Sequence, residues 1–159
     1  MIRTIFAAMV LALILVNAGA QQIREIDKDG IIGLMQQESD TAFVVNFWAT
    51  WCSPCVKEIG YFEMLHRTHA HEKVQVVLVS LDFPNQLEQR VVPFLKEKEI
   101  TAPVRLVTEL DYNSWIDQVD PSWSGALPAT LIFRQDKRLF LEKELTESEL
   151  FEYVEQMLH

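Results

Sequence analysis

Cysteine is scarce in this chain, with two among 159 residues, and so is positive charge: 14 Lys and Arg stand against 23 Asp and Glu, a formal net charge of −9. An acidic surplus of this size does not attract phosphate backbones, which argues against nucleic acid as a partner. Five glycines and six prolines are too few for a collagen-like or low-complexity chain. Long apolar runs are missing as well. The run Ile5–Val16 has twelve residues, against the roughly 20 that a bilayer-spanning helix needs. What remains, 49% hydrophobic and 23% charged residues, describes a globular protein. A domain of this size buries roughly two-thirds of the surface its unfolded chain exposes, so it needs neither disulfide staples nor structural metal. The two cysteines therefore call for a different explanation.

The N-terminus has the layout of a secretory signal peptide: Met1-Ile2-Arg3, the apolar run to Val16, and the small residues Ala18-Gly19-Ala20 before a cleavage point. Residues 1–20 are expected to be removed. An uncleaved anchor is the weaker alternative, and no cysteine follows Ala20 to carry a lipid. Cleavage leaves 139 residues, and because Arg3 departs with the leader the net charge becomes −10. A mature chain of residues 21–159 would work in the periplasm or an equivalent extracytoplasmic space, where disulfides persist.

Ala42–Ala49 is an almost unbroken apolar, β-branched and aromatic run, the pattern of a strand buried on both faces, and Val74–Asp82 is a second. Between them, Val56, Ile59, Phe62, Met64 and Leu65 recur roughly at helical spacing, predicting a helix over about 54–71. Strand, helix, strand implies a right-handed parallel crossover. Further helices are predicted over 86–99, with a bend at Pro93, and over 112–119, with a short strand at Val104–Val107. The tail reads as a hairpin, Ala129–Phe133 and Arg138–Leu141, closed by a helix after the Thr146-x-x-Glu149 capping box. With no repeat and no linker, residues 21–159 form one α/β domain.

Trp51-Cys52-Ser53-Pro54-Cys55 falls where the first buried strand ends and a helix begins. A sulfur at a helix N-terminus meets unpaired backbone N–H groups and the positive end of the helix dipole, which favour thiolate over thiol. Cys52 is thus the candidate nucleophile. Cys55, one turn into the helix, can attack a mixed disulfide on Cys52 and is the candidate resolving thiol. Pro54 suits the first helical turn, whose N–H groups lack helical acceptors. An inert bridge of this span would stabilise little, and zinc needs about four ligands where there is no second Cys-x-x-Cys.

Asn46-Phe-Trp-Ala-Thr-Trp-Cys-Ser-Pro-Cys55, followed by Gly125-Ala-Leu-Pro-Ala-Thr130 and the hairpin-helix tail, resembles the thioredoxin superfamily, specifically the TlpA/ResA-like extracytoplasmic thiol-disulfide oxidoreductases. The resemblance implies a thioredoxin fold, a central mixed sheet flanked by helices, and a cis peptide bond before Pro128. It also implies that the Leu127 backbone pairs with a substrate chain. Trp51, Pro54 and Trp123 are the other substrate-binding candidates. The distance from Cys52 to Pro128 exceeds that of plain thioredoxin by about a helix and a strand, which places an insertion at 86–107. Thioredoxin keeps a buried Asp six residues before its first cysteine, where this chain has Asn46, which cannot titrate. The proton acceptor must lie elsewhere, and Glu58, three residues after Cys55 on the same helical face, is the candidate.

His66, His69 and His71 cluster at the far end of that helix, which suits a helix C-terminus better than a metal site. Asp27-Lys-Asp-Gly30 lacks the ligands of a calcium loop and reads as a turn into a helix. Trp48, Trp115 and Phe47 read as packing. The expected chemistry uses no cofactor and no metal. The expected partners are protein thiols or disulfides, apocytochrome c among them, and an upstream redox donor; no oligomeric state is implied. Net reduction is favoured, because Ser53-Pro54 lacks the histidine that strong oxidants carry between their cysteines. The alternative is a thioredoxin-fold binding module, such as a copper carrier with the cysteines as ligands, although no third ligand stands near them in sequence.

Overall fold

A computed structural model of the chain describes residues 23–69 and 72–159. The proposed leader and His71 lie outside the described residues. Six strands form one mixed sheet in the order β1-β4-β3-β2-β5-β6, where β1 is Ile23–Ile26, β2 Ala42–Trp48, β3 Val74–Ser80, β4 Val104–Val107, β5 Ala129–Arg134 and β6 Lys137–Leu141. The first four are mutually parallel, and β5 and β6 run antiparallel to their neighbours. Helix α1 (Lys28–Met35) is capped by Asp27, whose side chain accepts from the Gly30 N–H at 2.9 Å. Helix α2 (Ser53–Thr68) joins β2 to β3, and α5 (Glu147–Leu158) closes the chain behind the expected capping box at Thr146 and Glu149.

β2 is buried along its whole length because both faces of the sheet are covered. Ala42, Val44 and Trp48 point into a core shared with Ile59, Phe62 and Leu65 of α2 and Leu150 and Val154 of α5. Phe43, Val45 and Phe47 point the other way, toward Ile31, Trp115 and Trp123. The buried side of α2 carries Cys55, Ile59, Phe62 and Leu65, whereas Met64 is exposed.

Three elements differ from the sequence reading. β1 went unseen: four residues at the sheet edge, with only the two end isoleucines half-buried, carry too little alternation to register. The helix expected over 86–99 is a 3₁₀ turn (Pro84–Gln86), a π-turn (Leu87–Val91) and a short α3 (Val92–Glu97). The Val92 N–H reaches back to Leu87 O, and Pro93 has no N–H with which to continue an α ladder. The helix expected over 112–119 is broken at Trp115 into a 3₁₀ turn (Tyr112–Ser114) and one turn of α4 (Ile116–Val119). The α3–β4 segment inserts a strand between β1 and β3 and packs Phe94 against Trp48 in a tilted pair, with ring centroids 5.3 Å apart. Glu63 of α2 ties this segment down by accepting from the Thr101 and Ala102 N–H groups at 2.8 and 2.9 Å. Among the described residues no helix is long and apolar enough to cross a membrane.

Candidate active site

β2 ends at Trp48, and the chain turns so that the Cys52 N–H donates to Ala49 O at 3.1 Å and Cys52 becomes the N-cap of α2. Its Sγ accepts from the Cys55 N–H at 3.3 Å, a contact between sulfur and helix N-terminus that favours negative charge on the sulfur. Pro54 stands in the first turn. The two sulfurs are joined as a disulfide, with Cα atoms 5.3 Å apart. Exposure separates the two cysteines: Cys52 is 7% exposed at the surface of a groove, and Cys55 is fully buried.

That groove, about 450 Å³, brings together Trp51, Cys52, Pro54, Trp123 and Leu127, all five singled out in the sequence. Leu81, Phe83, Tyr112 and Ile116, which were not, join Gly125 and Ala126 in the rest of its lining. Trp51 and Phe83 stand half out of the surface at its rim. The Leu127–Pro128 peptide bond is cis. Trp123 is both wall and core: it packs on Phe47 and Trp115 at 4.6 and 5.7 Å between centroids, and its Nε1 donates to Ala126 O at 2.9 Å. Gly125, at φ +91°, makes the turn that a residue with a Cβ would resist. Glu142 at the end of β6 fastens the same loop, accepting from the Ser124 hydroxyl and N–H and from the Ala126 N–H at 2.9 Å. Burial alone would raise the Glu142 pKa, but these hydrogen bonds outweigh it and hold the carboxyl below the usual range. Sequence reasoning missed Glu142, which sits in an acidic stretch that reads as solvated surface.

Behind the disulfide, Glu58 is fully buried one turn beyond Cys55. Its Oε2 accepts from the Leu145 N–H at 2.6 Å and its Oε1 from Asn46 Nδ2 at 3.1 Å. Asn46 Nδ2 also donates to Thr130 Oγ1, leaving Asn46 Oδ1 buried without a partner. Burial pushes the Glu58 carboxyl up to about 7, with the charge of Glu144 adding to the effect and the Leu145 and Asn46 hydrogen bonds opposing it. Turning the Asn46 amide over would let Oδ1 accept from a protonated Glu58 and from the Thr130 hydroxyl, so the network can serve both protonation states. His69 lies near Glu72 and Glu155, far along α2. Among the described residues no group of three or more His, Cys, Asp or Glu side chains gathers as a metal site.

Residues 19–140 match the sequence pattern of the AhpC/TSA family. Over 63 residues, 40% of this chain and 38% of the relative, the sequence is 35% identical to sporulation thiol-disulfide oxidoreductase A of Bacillus subtilis. Over 116 residues, 71% of this chain, it is 28% identical to the thiol-disulfide oxidoreductase ResA of Bacillus cereus and spans 61% of that protein. The chain thus covers less than two-thirds of these relatives' lengths. The crystal structure of StoA from Bacillus subtilis superposes with a TM-score of 0.57, at 21% identity over 76% of this chain and 86% of that one, which shows a shared thioredoxin-type fold.

Proposed function

Because the chain belongs to the AhpC/TSA family, we propose that it is a thiol-disulfide oxidoreductase of the ResA and StoA type, exchanging disulfides with protein substrates through Cys52 and Cys55 in the reducing direction. The observation that carries this reading is the asymmetry of the pair: one sulfur reaches an apolar groove from a helix N-terminus, and the other is sealed beneath it beside a buried acid. In the reduced protein the Cys52 thiolate attacks a substrate disulfide; a Cys52–substrate S–S bond forms, the substrate S–S bond breaks, and the leaving sulfur takes a proton. Cys55 then passes its proton to Glu58 and attacks Cys52. This forms the Cys52–Cys55 bond and releases the second substrate thiol. Two electrons move to the substrate, and an upstream dithiol must return them.

Trp51, Pro54, Trp123 and Leu127 would hold the substrate chain, with the backbone beside Pro128 pairing to it. The N-terminal pattern supports removal of residues 1–20, a thioredoxin-like domain over 21–159 and work outside the cytoplasm, on cysteines such as those of apocytochrome c. In an insulin reduction assay recharged by dithiothreitol, the mature protein is expected to accelerate the reaction. Its potential should lie nearer the roughly −270 mV of thioredoxin than the roughly −120 mV of a strong extracytoplasmic oxidant. No acceleration, together with stoichiometric capture of copper(I) by the reduced protein, would favour the copper carrier instead.

The Glu142 clamp carries a separate expectation. Glu142→Ala frees the two backbone N–H groups that shape the loop before Pro128, and should raise KM for a protein disulfide by roughly ten-fold, as fits the loss of hydrogen bonds to a charged group. Its alkylation rate at Cys52 should hardly change. Steady-state kinetics beside iodoacetamide labelling separate the two effects.

A further inference from the structure

Asp82 follows β3 and is fully buried, yet the exchange chemistry above makes no use of it. Its Oδ2 accepts from the Thr50 N–H at 3.0 Å and the Ser80 hydroxyl at 2.8 Å, and its Oδ1 from the Thr50 hydroxyl at 2.5 Å. All these donors are neutral. None of the ion pairs among the described residues involves Asp82, so its charge is solvated by dipoles and not cancelled by a cation. Thr50 lies two residues before Cys52, and Leu81 and Phe83, on either side of Asp82, line the same groove as Cys52. The Tyr112 phenol on the groove wall is pushed up, first by burial and then by the nearby Asp82 carboxylate.

We propose that Asp82 is a positioning residue that fixes the turn before Cys52 and sets an uncompensated negative charge beside that turn, disfavouring the Cys52 thiolate and making the pair a stronger reductant. The titratable groups around the pair are Tyr112, which lines the groove with Cys52, Glu58, one turn beyond Cys55 on α2, and Asp82, bonded to Thr50 two residues before Cys52, while Lys57 of α2 pairs with Glu144 at 3.9 Å. The helix N-terminus stabilises the thiolate, and Asp82 opposes it. Reduction converts the disulfide, two electrons and two protons into the dithiol. Whatever destabilises the thiolate leaves the disulfide relatively favoured, and the reduced pair gives up its electrons more readily. This inference rests on the oxidoreductase reading, but its first readout needs no substrate.

Asp82→Asn keeps the shape and one acceptor oxygen while removing the charge. In the reduced full chain, the pH dependence of iodoacetamide alkylation at Cys52 should move down by about one unit, a ten-fold rise in thiolate at pH values below its pKa. The reduction potential against glutathione should rise by up to about 30 mV for that ten-fold change. Thr50→Val removes the hydroxyl contact and keeps the charge, and should leave the Cys52 profile in place. An unchanged profile in Asp82→Asn, or the same downward shift in Thr50→Val, overturns the proposal. Should Asp82→Asn fail to fold, the ¹³C resonance of the Asp82 carboxylate in the wild-type protein should move as Cys52 titrates, and a resonance that does not sense Cys52 overturns it equally. A wild-type couple that exchanges with no disulfide would count against the oxidoreductase reading, with the alkylation profiles still deciding the role of Asp82.

Discussion

Cys55→Ser is expected to turn the protein from a catalyst into a trap. With the buried sulfur gone, the Cys52 thiolate still attacks a substrate disulfide, but nothing in the fold can attack the mixed disulfide that results. Turnover should fall on the order of 100-fold or more, because an intramolecular thiol held beside its target acts at a very high effective concentration. A covalent adduct should accumulate on non-reducing gels and dissolve with dithiothreitol. Cys52→Ser should give neither turnover nor adduct, since Cys55 is fully buried and cannot reach a partner protein. Loss of the bridge cannot account for the contrast. A disulfide between residues three apart removes little chain entropy, no more than about 2 kcal/mol, and both variants lose it equally. Adducts formed through Cys55 in Cys52→Ser would reverse the assignment of roles. Mass spectrometry of the trapped species would name the substrates.

The halves of this site were unequally legible in the sequence. The strand Ala42–Trp48 and the helix after it announced themselves because burial on both faces and a helical stripe are patterns within one contiguous segment. Cys52, Cys55 and Glu58 share that segment, so their relation followed from helical spacing. The cis bond at Pro128 came from resemblance alone, since most X-Pro bonds are trans. The contacts that organise the site from outside it are between distant residues. Leu145 meets Glu58 across 87 positions, Glu142 meets Ala126 across 16, and Asp82 meets Thr50 across 32. Each depends on which loop the sheet order brings alongside, and a single acidic side chain gives no periodic signal, whether it closes an apolar strand as Asp82 does or sits among other acids as Glu142 does. The short segment 142–145 thereby joins both walls of the site, one end holding the loop before Pro128 and the other donating to the buried acid.

Glu58→Gln should move stability and activity in opposite directions, which distinguishes a proton acceptor from a structural side chain. The folded-state pKa of Glu58 lies near 7, above its ordinary value of 4.5. Between those two values the folded protein holds a proton that the unfolded chain has released, so the contribution of Glu58 to stability is fully present below pH 4.5 and is lost as the pH rises through 7. Glutamine has no charge to bury and can still accept from Leu145. The variant should match the wild type near pH 4.5 and exceed it at pH 8, by up to about 3 kcal/mol for a shift of this size. Urea unfolding of the oxidised proteins at the two pH values measures the gap. Thiol exchange should change in the other sense. The variant should lose the rate inflection near pH 7 and run roughly 100-fold slower at pH 7–8, the lower range for removal of a general base. Stopped-flow measurement of the resolving step reads this directly. A Glu58→Gln protein that is less stable at pH 8, or that keeps the wild-type pH profile, would show that the carboxylate is an anchor for the Leu145 loop and that Cys55 loses its proton to another group. Gain in stability with loss of rate would mean that this fold retains a destabilising buried acid because the chemistry at Cys55 requires it.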